Sequence, residues 1–546
     1  MKIRLLLSLV LIACVSLVYG QDKAPENWFL LDPSTDNMPG LSIDKTYNEL
    51  LKGKDAQPVI VAVIDSGVDY LHEDLKDVMW VNQDEIPDNG IDDDKNGYVD
   101  DIHGWNFIGG KDGRNIHHDA LEVSRLAAKY GKKYENADVS KLSKKDKKEY
   151  EKYQDIKKVI AEKREEVMQQ SMGVTMFSQS FEAVRKFLKK DKFTAEDLKA
   201  IETDNEEINN AVSMIQAVLD RGASLEDLEG QLSEANEYFE NQLKHYYNPE
   251  FDPRAEIVKD NYADLYERDY GNNNVKGPDA NHGTHVAGII AASRDNDLGM
   301  QGIANNVLIM SVRCVPDGDE RDKDVANAII YAVDNGASII NMSFGKSYAW
   351  NKDVVDKAVR YAMKKDVLLV HAAGNDGKDN DNTNNFPNDK FRKKKLFKPK
   401  YAKNWIEVGA LHWKGGEELP ASFSNYGKEN VDIFAPGVAI YSTVTENEYD
   451  SYPGTSMASP MVAGVAALIR SYCPTLTAQQ VKEVILSSAV KQNQQVVKPG
   501  SDDKVAMSEL SRTGGTLSAY TAVKKALSTK GKKKVKKKST QKAVKP

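Results

Sequence analysis

Gly454-Thr455-Ser456-Met457-Ala458-Ser459-Pro460, followed by the apolar run Met461 to Ile469, is the stretch on which the reading of this chain turns. A turn of small residues leading into an apolar helix delivers one hydroxyl to the helix start. There the unpaired backbone N–H groups point outward, where negative charge develops when a serine attacks an acyl group. Pro460 is expected in the first helical turn, where its missing N–H costs little. An ordinary turn before a core helix has the same composition, so Ser456 needs partners elsewhere in the chain.

Val59-Ile60-Val61-Ala62-Val63-Ile64-Asp65-Ser66-Gly67-Val68 is a continuous apolar, β-branched run. That is the pattern of a strand buried on both faces of a parallel sheet. Asp65 ends it, either as a turn former or among the ligand-facing groups that gather at the carboxyl ends of such strands. Asn281-His282-Gly283-Thr284-His285-Val286-Ala287-Gly288-Ile289-Ile290 places two histidines at the start of an apolar helix. No glutamate lies between them, as the zinc-binding H-E-x-x-H helix requires. Val307 to Val312 and Ala337-Ser338-Ile339-Ile340-Asn341-Met342-Ser343-Phe344-Gly345 read as further strands. Val367-Leu368-Leu369-Val370-His371-Ala372-Ala373-Gly374-Asn375 is another, closing on small residues and an asparagine.

These strings resemble subtilisin-like serine proteases, the subtilase family. The stretch around Ser456 resembles its nucleophile motif, that around Asp65 its aspartate motif and that around His282 its histidine motif. Val431-Asp432-Ile433-Phe434-Ala435-Pro436-Gly437 resembles a further landmark. The order Asp65, His282, Ser456 is the subtilisin order, not that of chymotrypsin or the α/β-hydrolases. The resemblance runs from Asn27 to Glu85 and from Tyr270 to Lys525. It implies an α/β fold of three layers around a mostly parallel sheet. It also implies acyl transfer, with Ser456 as nucleophile, His282 as base, Asp65 orienting the imidazole and Asn375 donating its amide to the oxyanion. His285 is left a structural role. Ser343-Phe344-Gly345, which pairs with substrate backbone in the family, and Ala373-Gly374 are the implied substrate-binding residues.

Asn89-Gly90-Ile91-Asp92-Asp93-Asp94-Lys95-Asn96-Gly97-Tyr98-Val99-Asp100 alternates oxygen ligands around a glycine turn, as in the first half of a calcium loop. The position that would carry the closing glutamate is His103, so the EF-hand is incomplete. Asp92, Asp94, Asn96, the Tyr98 carbonyl and Asp100 are the expected calcium ligands; a solvated Asp/Asn turn is the alternative. Asp74 matches a family position that helps bind a second calcium, with residues 293–299 as its partner loop.

Met1 to Gly20 has the basic start, short apolar core and small residues of an export signal. Leu11-Ile12-Ala13-Cys14 also matches a lipoprotein cleavage box, so the expected location is secreted or periplasmic, with lipid anchoring as the competing reading. Beyond it remain only Cys314 and Cys473, as one disulfide or two thiols, which excludes a disulfide-stapled scaffold. Residues 21–54 form a lead segment too short to bury a core of its own, unlike the inhibitory prodomains of many secreted relatives. Residues 55–114 and 270–527 are the two parts of the catalytic domain.

Between them, residues 115–269 are a charged helical insertion. Leu121, Val123, Leu126 and Ala127, and later Ile208, Val212, Ile215, Val218 and Leu219, recur at helical spacing. Thr194 and Ser224 open helices with acidic first turns. The tail, residues 528–546, is basic, although the whole chain carries a formal charge of -8. That tail is expected to be a disordered, solvated segment, with association to an anionic cell surface or polymer as the alternative; nothing beside it suggests nucleic-acid reading. The sequence sets no oligomeric state. The expected function is an exported serine endopeptidase acting on protein or peptide substrates. The alternative is a protease-like scaffold that binds or assembles through the insertion.

Overall fold

A computed structural model describes residues 23–393 and 399–533. The expected export signal, and the basic tail from residue 534 on, lie outside them. The described chain divides into a helical unit, residues 123–252, and a body formed by residues 24–122 and 253 onward. Residues 115–122 and 253–269, grouped with the insertion on charge pattern, belong to the body.

The body is built on a nine-stranded sheet. Its seven main strands are β1 (Val59–Asp65), β2 (Gly104–Asn106), β3 (Val307–Arg313), β4 (Ile339–Met342), β5 (Leu368–Ala372), β6 (Trp405–Leu411) and β7 (Ile433–Pro436). They lie in the order β7-β6-β5-β4-β1-β3-β2 and every pair among them is parallel. Gly515–Thr516 and Val490–Lys491 extend the β7 edge. The chain order reverses at β1, which has β3 on one side and β4 on the other. In open α/β sheets the crevice at such a reversal is where ligands bind.

Alternate residues of each strand feed two cores. Val61, Val63, Ile309, Val370 and Val408 pack beneath α1 (Asn281–Ala291), α4 (Thr455–Tyr472), α5 (Ala478–Ser487) and α6 (Ala519–Ser528). Ala62, Ile64, Met310, Val312 and Leu369 face the other way, under α2 (Asp322–Asp334) and α3 (Lys352–Lys364). The result is the three-layer α/β fold that the near-continuous apolar strands require. The lead segment is not a separate element. Trp28, Phe29, Leu30, Leu41, Ile43 and Leu51 are buried in the first of these cores, and Trp28 Nε1 donates to Ala439 O at 3.1 Å.

The helical unit is dominated by one helix, Lys144–Leu188. Phe177, Phe181, Val184, Leu198, Ile215 and Leu228 form its own small core. Ser143, Thr194, Asn205 and Ser224 cap the helix starts, each side-chain oxygen accepting a first-turn N–H. Thr194 and Ser224 are the starts expected from sequence.

Candidate active site

β1 delivers Asp65, 2% exposed, to the carboxyl edge of the sheet. Helix α1 starts against the turn that follows it, and Gly283 is what permits the approach. A Cβ at Gly283 would lie 2.0 Å from Gly67 O and 3.1 Å from the Asp65 Cβ. His282, one residue earlier, is thereby held with Nδ1 2.7 Å from Asp65 Oδ1, which also accepts from the Ser66 N–H at 2.8 Å. Desolvation works against the charged imidazole, but the adjoining Asp65 charge and its hydrogen bond outweigh it and raise the His282 pKa above 6.5. The carboxylate also fixes the tautomer, leaving Nε2 as the basic nitrogen.

Ser456 enters by a different route. Helix α4 begins at Thr455, so Pro460 lies inside the helix rather than in its first turn, which corrects the sequence expectation. A proline there cannot donate to the carbonyl four residues earlier, which is that of Ser456. The Ser343 hydroxyl donates to it instead, at 2.7 Å. Ser343 is in turn held by Asn341 Nδ2 at 2.9 Å, and Asn341 Oδ1 accepts from Ser459 Oγ at 2.8 Å. The Ser456 hydroxyl donates to Ser343 O at 3.1 Å and is not hydrogen-bonded to His282. Catalytic bonds of this kind commonly tighten only on substrate binding.

Asn375 follows the end of β5. Its Oδ1 accepts from the Thr455 N–H at 2.9 Å and the Thr455 hydroxyl at 2.8 Å. That leaves Nδ2 as the polar group available to a ligand. Asn375, Ser456, Ser343, Phe344, Gly345 and Gly374 line one cavity of about 480 Å³. Ala373 lies behind that wall, fully buried, and its carbonyl accepts from Asn380, Asn385 and Asn425 amides at 2.9, 3.0 and 2.9 Å. Ala372 lines the cavity in its place.

His285 is enclosed. Its Nε2 lies 2.9 Å from Ile440 O and 3.1 Å from Asp450 O, and its ring stacks on Tyr452. Desolvation, aided by His282, pushes its pKa down to about 3, so it stays neutral and structural. Cys314 and Cys473 are free thiols, and burial raises both pKa values.

The expected calcium residues are only partly brought together. Asp92 and Asp94 meet Glu85, one ligand oxygen from each lying within 4.8 Å of the others. Asn96 directs Oδ1 to the Tyr98 N–H at 2.8 Å and its amide to Asp94 and Asp101. Asp100 accepts from the Asn89 and Gly90 N–H groups at 3.1 and 2.9 Å. Three convergent carboxylates are a donor set that suits a hard cation. Asp74 is buried against the 293–300 loop, accepting from Asn296 Nδ2 at 2.8 Å, and desolvation raises its pKa.

Four residues at these sites escaped the sequence reading: Glu85, His371, Asn385 and Glu407. Glu407 had a signal, since a carboxylate inside the apolar strand Trp405–Leu411 must find partners. It accepts from Trp405 Nε1 at 2.8 Å and from His371 Nδ1 at 3.0 Å.

A family model described as the subtilase family matches residues 56–515. The chain belongs to the subtilase family. Among curated relatives, this subtilase is 40% identical over 227 residues to the thermophilic serine proteinase of Bacillus sp. strain AK1, covering 41% of this chain and 49% of that one. It is 41% identical over 210 residues to subtilisin DY of Bacillus licheniformis, covering 38% and 70%. To thermitase of Thermoactinomyces vulgaris it is 38% identical over 221 residues, covering 39% and 72%. The aligned part thus spans about half of the AK1 proteinase and over two thirds of the other two.

Proposed function

We propose that this subtilase is a serine endopeptidase that cleaves peptide bonds through Ser456, His282 and Asp65. The observation that carries the reading is the 2.7 Å bond from His282 to a buried Asp65, at the same sheet edge as a serine that opens a helix. In this mechanism the Ser456 oxygen attacks the substrate carbonyl carbon while His282 Nε2 takes the hydroxyl proton. The carbonyl oxygen becomes an oxyanion, and Asn375 Nδ2 with the Ser456 N–H is suited to hold it. His282 then returns the proton to the departing amine. Water, deprotonated by the same imidazole, hydrolyses the acyl-enzyme. Among the described residues neither Phe344 nor Gly345 makes a backbone hydrogen bond, which leaves that edge for an extended substrate.

Glu85, Asp92 and Asp94 would hold a calcium ion, whose contribution is to neutralise three converging charges and brace the loop. The protein is placed outside the cytoplasm on the signal-like residues 1–20. A fluorophosphonate probe tests the catalytic reading. It should label the wild type and not Ser456→Ala; a folded wild-type protein that is neither labelled nor hydrolyses casein would sink it.

A further inference from the structure

Behind the cavity that holds Ser456 lies a buried, hydrogen-bonded histidine–carboxylate pair that the acyl-transfer steps do not use. His371 and Glu407 are register partners on β5 and β6. His371 is fully buried and Glu407 is 6% exposed. His371 Nδ1 lies 3.0 Å from both carboxylate oxygens, and Trp405 Nε1 donates to Oε2. His371 Nε2 is buried with no hydrogen-bond partner. Keeping a carboxylate and an imidazole in an apolar sheet is costly unless both are closely paired, and removing one member leaves the other stranded. The pair therefore needs an account.

Its outer contacts supply one. Asn385 Nδ2 reaches Glu407 Oε1 at 3.4 Å while donating to the Ala372 and Ala373 carbonyls at 3.0 Å. Asn385 also lies directly on Gly345, where a Cβ would fall 2.3 Å from its Oδ1. It thus bridges the two walls of the cavity, the 343–345 segment and the end of β5, and closes the slot between them. On the other side the Phe344 ring stands edge-on to His371, with centroids 6.3 Å apart. One buried pair touches both the closing residue and an aromatic wall of the substrate pocket.

We propose that Glu407 and His371 are positioning residues that hold Asn385 and Phe344 so that the pocket stays short, and that the enzyme therefore cleaves after residues with small side chains. This rests on the serine-peptidase reading of the same site. Asn385 sets the depth, and the histidine–carboxylate pair, together with the Ala372 and Ala373 carbonyls, keeps Asn385 from turning away.

The test uses the full chain and two peptides that differ only in alanine or phenylalanine on the acyl side of the cleaved bond. Wild type should favour alanine in kcat/KM. Asn385→Gly and Glu407→Leu should each raise the phenylalanine-to-alanine ratio by at least about tenfold, the scale on which a pocket discriminates by size. Glu407→Gln keeps a carbonyl acceptor for Trp405 and His371 but turns an amide NH2 towards Asn385 Nδ2, so it should raise the ratio too, by less than Glu407→Leu. Labelling by a small fluorophosphonate reports whether each variant folds with a competent site, and the ratio is read only from variants that label. If Glu407→Leu loses labelling, Glu407→Asp, which draws the carboxylate away from Asn385, is read in its place. A wild type that favours phenylalanine, or ratios unmoved while labelling persists, overturns this inference and leaves the peptidase reading standing. A wild type that neither labels nor cleaves overturns both.

Discussion

Ser343 and Ser456 hydrogen-bond to each other in both directions: the Ser343 hydroxyl donates to Ser456 O at 2.7 Å, and the Ser456 hydroxyl to Ser343 O at 3.1 Å. The first bond exists because Pro460 has no N–H to offer the Ser456 carbonyl. The proline thus turns a helix-internal acceptor into a tether between Ser456, the proposed nucleophile, and the 343–345 segment.

Replacing Ser343 by alanine strands that carbonyl. The expected cost is about 1 kcal/mol of stability, the net worth of one hydrogen bond, since Ser456 is only partly buried. Pro460→Ala restores a backbone donor to Ser456 O, so the double variant should recover much of the loss. Thermal unfolding of the four proteins in the cycle measures this coupling; strictly additive losses would contradict it.

Asn375 is held by Thr455 through its oxygen, which leaves its amide free for the oxyanion role proposed for it. Asn375→Ala should lower kcat by about 10²–10³-fold with little change in KM, the size established for the equivalent donor of subtilisins. Thr455→Val, which keeps the backbone bond and loses the hydroxyl one, should give a smaller fall in kcat. A change in KM alone would argue against the oxyanion assignment.

In the proposed mechanism His282 must be neutral to accept the serine proton. Its pKa is raised above 6.5, so the inactive protonated form persists to higher pH than for an ordinary histidine. The acid limb of kcat/KM should therefore have its midpoint above 6.5. In Asp65→Asn that midpoint should move down, because the charge that outweighs desolvation is gone. The same change should cost about 10⁴-fold in kcat, as it does in another serine-protease triad. Initial rates across the pH range decide the sign.

His285 predicts a separate effect on stability. Its pKa falls from 6.5 to about 3 on folding. Between those values the unfolded chain binds a proton that the native state refuses. Its contribution to stability is thus full above pH 6.5, is lost as the pH falls towards 3, and levels off below. His285→Gln should flatten the dependence of Tm on pH over that window, and an unchanged slope would show that other groups dominate it.

How much was legible in the sequence follows from which interactions are local. Asp65, His282, Asn375 and Ser456 each sit where an apolar strand or helix meets a glycine-containing turn, so a string of neighbours marks them. The three-layer sheet was legible because strands buried on both faces read as unbroken apolar runs. Asn385 carries no such mark, and a carboxylate inside an apolar strand marks Glu407 only as needing partners; the two meet across 22 residues of sequence. Pro460 misled because its proximity to the turn suggested a first-turn role. Its actual effect depends on Ser343, which lies 113 residues from Ser456 in sequence. The body's reach into 115–122 and 253–269 was hidden because partners such as Arg254 and Asp324, or Lys346 and Glu122, are buried charges that look like solvated ones.

Glu85 carries the last prediction. Its carboxylate accepts from the Asp94 and Asp100 N–H groups at 3.1 Å each and joins Asp92 and Asp94. Three carboxylates so close repel one another unless a cation lies among them. Calcium at about 100 times its Kd should add about 2.7 kcal/mol of stability, and chelation should remove it. Glu85→Gln combined with Asp92→Asn relieves the repulsion and removes two ligands. The variant should lose the calcium response, yet unfold in chelator no earlier than wild type. A wild-type Tm that ignores both calcium and chelator would reduce the loop to a hydrogen-bonded turn. An early-unfolding variant would mean that Glu85 serves mainly through the Asp94 and Asp100 backbone.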